Sequence, residues 1–71
     1  MALALLNKYV ALNNPTEARG MMRGNVVMVA EGVTEVAVGD KAFYAKEDAL
    51  TMDVSGEEVI IIKVGQLVAK R

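Results

Sequence analysis

Apolar and polar residues alternate along most of this chain, and short clusters of glycine, asparagine or serine interrupt the alternation. A period of two places successive side chains on opposite faces of a strand. Arg23 to Ala30 reads as one strand, with Val27 and Val29 on one face and Val26 and Met28 on the other. Val33 to Val38 alternates and reads as a second, and Lys41 to Ala45 as a short third that carries Phe43 and Tyr44. In Ala49 to Val54, the residues Leu50, Met52 and Val54 are in phase, with Thr51 and Asp53 between them. Ser55-Gly56 then gives a tight hairpin signal. Glu58 to Val64 holds the unbroken run Val59-Ile60-Ile61-Ile62, which predicts a strand buried on both faces. Gln66 to Ala69 is a last apolar segment.

The first dozen residues are ambiguous by period. Leu3, Leu6 and Val10 fit a helical stripe, whereas Leu6, Lys8, Val10 and Leu12 fit a strand. The strand is favoured, because Asn13-Asn14-Pro15-Thr16 follows as a turn cluster and the remainder is β-patterned. Val- and Ile-rich segments between six glycines suit pleated, half-buried surfaces. Many short strands at this spacing predict an all-β fold, a small barrel formed by residues 1–71 as one domain.

Length sharpens this picture. With 71 residues, 54% of them apolar, the chain builds only a thin core. Small domains compensate with disulfides, metals or association. The chain has no Cys and no His, so association is the expected remedy. The same absence removes Ser–His and Cys–His pairs, thiolate nucleophiles and imidazole bases, so no enzyme is expected. The first six residues are apolar but lack a basic leader and are too short for a secretory signal. No apolar run reaches the length of a membrane span, so a soluble, cytoplasmic protein is expected.

Eight basic residues against nine acidic ones give a net charge of −1. A dedicated nucleic-acid surface is normally clearly basic, and here the basic positions are scattered in sequence. Nucleic acid is therefore not the expected partner, although Arg19, Arg23 and Lys41 would serve a small SH3-like barrel that bound it. Glu47-Asp48 and Glu57-Glu58 are adjacent carboxylates that point to opposite faces, and they form no acid–base couple. Asp40, Glu47, Asp48 and Asp53 lack the spacing of a calcium loop, so no metal or other cofactor is expected. Gly39-Asp40 reads as a turn whose Asp bonds a nearby backbone N–H. Met21-Met22 lies between Gly20 and Gly24 and between Arg19 and Arg23. Such a pair serves either partner capture or packing in a barrel mouth.

Five segments taken in order resemble the small co-chaperonin (GroES) family. They are Leu6 to Leu12, the Arg23-Gly24-Asn25-Val26 strand running to Ala30, Val36-Ala37-Val38-Gly39-Asp40 with its following Phe43, Val54 to Ile62, and Leu67 to Ala69. The resemblance implies a partly open, GroES-like β-barrel that forms a ring, typically of seven subunits, and caps a large (GroEL-type) chaperonin during protein folding. It implies that Gly20, Met21 and Met22 stand where the family grips its chaperonin. It also implies a subunit interface of Leu3, Leu5, Asn7 and Tyr9 against Leu67, Val68 and Ala69 of a neighbouring copy. Two family segments are short here: the long loop between Leu12 and Arg23, and the roof hairpin between Ala30 and Val36. A structural ring that does not bind chaperonin is the alternative on the same barrel.

Overall fold

The computed structural model describes residues 5–71, with Ala18 described at its backbone alone. Among them six strands form one antiparallel sheet: β1 (Tyr9–Ala18), β2 (Met21–Val29), β3 (Lys41–Tyr44), β4 (Leu50–Val54), β5 (Glu57–Lys63) and β6 (Leu67–Lys70). Their order across the sheet is β4-β5-β1-β2-β3-β6, so β4 and β6 are the edges and the sheet is not closed. Single 3-10 turns at Lys46–Asp48 and Val64–Gln66 carry the chain into β4 and β6. The fold is an all-β, partly open barrel.

The inner face holds the main core: Val10, Leu12, Val26, Val36, Ala42, Tyr44, Ile60, Ile62 and Val64. A second cluster of Ala11, Val59 and Ile61 lies on the outer face, covered in part by Leu5, Tyr9, Met28 and Val54. The Val59–Ile62 run is buried at every position, as its unbroken hydrophobicity predicts. Gly24 on β2 lies against the stem of Leu12 on β1, where a Cβ would come within 2.9 Å of the Leu12 Cβ. This contact brings β1 and β2 close at the core centre.

Four local expectations change. Asn13 to Thr16 is not a turn; it lies inside β1, and the register with β2 slips between Asn13 and Thr16. Asn14 takes φ 51°, and Pro15, which has no N–H to donate, falls in the irregularity, where no ladder bond is required of it. The chain reverses instead at Arg19-Gly20, both with positive φ (55° and 79°), as a two-residue type I′ hairpin requires. Ser55-Gly56 reverses in the same way, with φ 53° and 81°.

Val27 is the second departure. Ala11 pairs with Met28 and Leu12 with Val26, leaving Val27 as an extra residue that bulges outward. Val26 and Val29 therefore share the inner core, and Met28 joins the outer cluster. Third, Val33 to Val38 is not a strand. Only Val36 is buried, Val38 is 64% exposed, and the segment turns on hydrogen bonds from the Val33 N–H to the Ala30 carbonyl and from the Asp40 N–H to the Ala37 carbonyl. Gly32 and Gly39, with φ 90° and 101°, set these bends. Fourth, the first strand begins at Tyr9. Leu6 to Tyr9 is a turn closed by the Tyr9 N–H on the Leu6 carbonyl at 3.1 Å.

Candidate functional site

Three regions receive the residues singled out above: the hairpin tip, the segment leading into β1, and the β6 edge. At the tip, Gly20 is the exposed second residue of the reversal and Met21 opens β2 opposite Ala18. Met22 pairs with Tyr44 across β3 and packs on the inner core. It also lines a cleft of about 320 Å³ at the barrel mouth, with Pro15, Tyr44, Lys46, Ala49, Thr51 and Ile60. The two methionines thus diverge: Met22 turns into the barrel mouth, and Met21 stays half-buried beside the reversal. Tyr44 is buried, and burial pushes its hydroxyl pKa above the ordinary value.

In the entry segment, Leu5 packs on the outer cluster and Asn7 is exposed in the turn with φ 56°. Tyr9 pairs with Lys63 on β5, whose ammonium sits 5.7 Å from the ring centroid. Leu3 lies outside the described residues.

At the far side of the sheet, Leu67 pairs with Tyr44 and Ala69 with Phe43, while among the described residues the opposite edge of β6 has no strand beside it. Val68 is 59% exposed there. A groove of about 220 Å³ runs along this edge, lined by Val36, Val64, Leu67, Val68, Ala69 and the flanking Glu35 and Lys70. Within one copy β2 and β3 separate Tyr9 from β6, so the two halves of the expected interface do not meet.

The loop that shapes this groove is held electrostatically. The Asp40 carboxylate accepts the Ala37 N–H at 2.9 Å and sits 3.5 Å from the Lys70 ammonium. The backbone bond first, and Lys70 second, hold the Asp40 pKa below the ordinary carboxylate value. The Asp is the turn residue its Gly39-Asp40 context predicts. Glu35 accepts the Thr34 N–H at 3.1 Å, and backbone N–H bonds likewise lower its pKa.

Sequence spacing does not disclose one grouping. Arg23 pairs with Phe43, Asn25 with Lys41, and Lys41 with Arg71 through bonds of 3.2 and 2.7 Å. These residues alternate with Met22, Gly24, Ala42 and Tyr44, which turn inward, so Arg23, Phe43, Lys41 and Arg71 share the outer face. The only signal in the sequence is phase within two separate strands, and the pairing register that joins them is not written locally.

Among the described residues no group of three or more metal-ligating side chains converges, and no helix is long and apolar enough to cross a membrane. A scan against protein-family models finds no match to this chain, and neither do searches of curated proteins and of solved structures.

Proposed function

We propose that this chain is a cytoplasmic, non-enzymatic co-chaperonin-like subunit that forms a homo-oligomeric ring and caps a large chaperonin. The observation that carries the reading is the β6 edge. A strand with one unpaired side, an exposed Val68 and an apolar groove alongside it is suited to accept an extended apolar segment by strand addition. The apolar residues before β1 supply such a segment from a neighbouring copy, which also answers the thin core of a 71-residue barrel. Leu5, Tyr9, Leu67, Val68 and Ala69 are then interface residues, with Asn7 shaping the turn between them.

Chaperonin contact falls to the hairpin tip. Gly20 and Met21 present the apex, and Met22 anchors it to the barrel mouth. Docking is weak per subunit and is strengthened by the multivalency of the ring. The test is mass photometry of the chain alone and mixed with a large chaperonin plus nucleotide. A discrete ring that joins the chaperonin only with nucleotide is expected, and Val68→Asp is expected to dissolve the ring without unfolding the barrel. A monomer at all concentrations refutes the reading. A ring that never joins the chaperonin refutes the capping function and leaves a structural ring.

A further inference from the structure

Charge is segregated across the sheet. β2, β3 and β6 contain no Asp or Glu, whereas β4 and β5, at the other edge, carry Asp53, Glu57 and Glu58. On the basic half, the outer face sets Arg23 beside Phe43 and Lys41 beside Arg71, with Asn25 completing the second row. Among the described residues none of these three cations has an ion-pair partner; the ion pair present is Lys70 with Asp40. Among the described residues the cation over an aromatic ring is Lys63 on Tyr9, and none occupies the face of Phe43.

We propose that this face binds single-stranded nucleic acid. A half-buried aromatic on an open sheet face is a stacking platform, and cations one strand away on either side reach the flanking phosphates. Neighbouring strands lie about 4.8 Å apart, so the patch spans β2 to β6 in about 10 Å. That is room for about two or three nucleotides. The Asn25 amide adds a donor and an acceptor for a base edge. Duplex DNA is the poorer fit, because stacking on Phe43 requires an unpaired base. The net charge of −1 does not oppose this: Asp40, next to Lys41, is engaged by the Ala37 N–H and Lys70, Glu17 on β1 stands opposite the inward Met22, and the acids of β4 and β5 lie beyond β1.

The experiment is fluorescence anisotropy of a labelled oligothymidine of about eight nucleotides, titrated with the full chain between about 50 and 200 mM salt. Single-strand binding loses about 0.7 in log K per decade of salt for each neutralised phosphate, so three contacts give a slope near −2. Lys41→Gln is expected to bring the slope to about −1.4. Phe43→Leu keeps apolar bulk but removes the stacking face, and should weaken binding at least about fivefold at fixed salt with the slope unchanged. If Phe43→Leu loses its cooperative melt, the exposed pair Lys41→Gln with Arg71→Gln carries the test, with an expected slope near −0.7. No binding at low salt overturns the proposal. So does an affinity or slope indifferent to the substitutions tested. The proposal stands apart from the ring, because Val68→Asp alters the β6 edge and leaves Phe43 and its cations in place.

Discussion

Gly24 is a sharp test of how β1 and β2 pack. In Gly24→Ala the new methyl would sit 2.9 Å from the Leu12 Cβ and 3.4 Å from the Asn13 carbonyl oxygen. Neither neighbour is the far end of a flexible side chain, and Leu12 is fully buried, so relief requires the strands to part. Overpacking of this kind costs about 1–3 kcal/mol. Replacing Gly with Ala also removes unfolded-state entropy, returning about 0.4–1 kcal/mol. At the middle of these ranges the net expectation is a loss of about 1.3 kcal/mol, which for a domain of this size lowers the melting temperature by about 5–10 °C. Gly65 is the matched control: its φ is not in the left-handed region and nothing lies within 4 Å of a Cβ built there. Gly65→Ala is therefore expected to be neutral or stabilising by up to about 1 kcal/mol. Urea and thermal unfolding followed by circular dichroism measure both. If Gly24→Ala matches or exceeds the wild-type stability, the close approach of β1 to β2 is refuted.

Two further outcomes follow from the turns. Arg19→Asn converts the β1–β2 reversal into Asn-Gly, the preferred pair for two positive-φ residues, and should raise stability by about 0.5–1 kcal/mol in the same unfolding assay. A decrease would mean that Arg19 makes a contact that outweighs its backbone strain. Asp40→Asn addresses pH. The carboxyl pKa is depressed in the fold by the Ala37 N–H and by Lys70, so its stabilisation is present above the ordinary value of 3.8. That stabilisation is lost as pH falls through the lower folded value. The variant should be less stable than wild type at neutral pH, and the difference should shrink in acid below that value. An equal gap at both pH values would exclude the carboxylate as its source.

Much of the fold is legible in the chain because strand patterning is local. The alternation of Leu50, Met52 and Val54 is recovered as the strand β4, although Leu50 and Met52 stay exposed, and the unbroken Val59–Ile62 run is recovered as the buried centre of β5. Ser55-Gly56 is recovered as well, since a two-residue positive-φ hairpin has a recognisable composition. Arg19-Gly20 performs the same reversal without that composition, and the Asn-Asn-Pro cluster upstream draws the turn to the wrong place. Propensity ranks Asn13 to Thr16 as a loop, but pairing with β2 holds the segment in a strand and confines its irregularity to a bulge. Val33 to Val38 errs in the opposite direction: its alternation is genuine, yet among the described residues no strand pairs with it.

Side-chain period, composition and turn chemistry act over a few residues, and they determine by themselves that this chain is all-β, thin-cored and free of cysteine and histidine. Register acts between distant segments, and one slipped residue turns a side chain to the other face of the sheet. Only the tertiary structure therefore decided that Val27 bulges outward, that Met22 enters the barrel mouth while Met21 remains at the reversal, and that β6 is an edge strand among the described residues. It alone gathered Arg23, Lys41 and Arg71 around Phe43, because cross-strand neighbours are set by pairing, and pairing is selected by the burial of the opposite face.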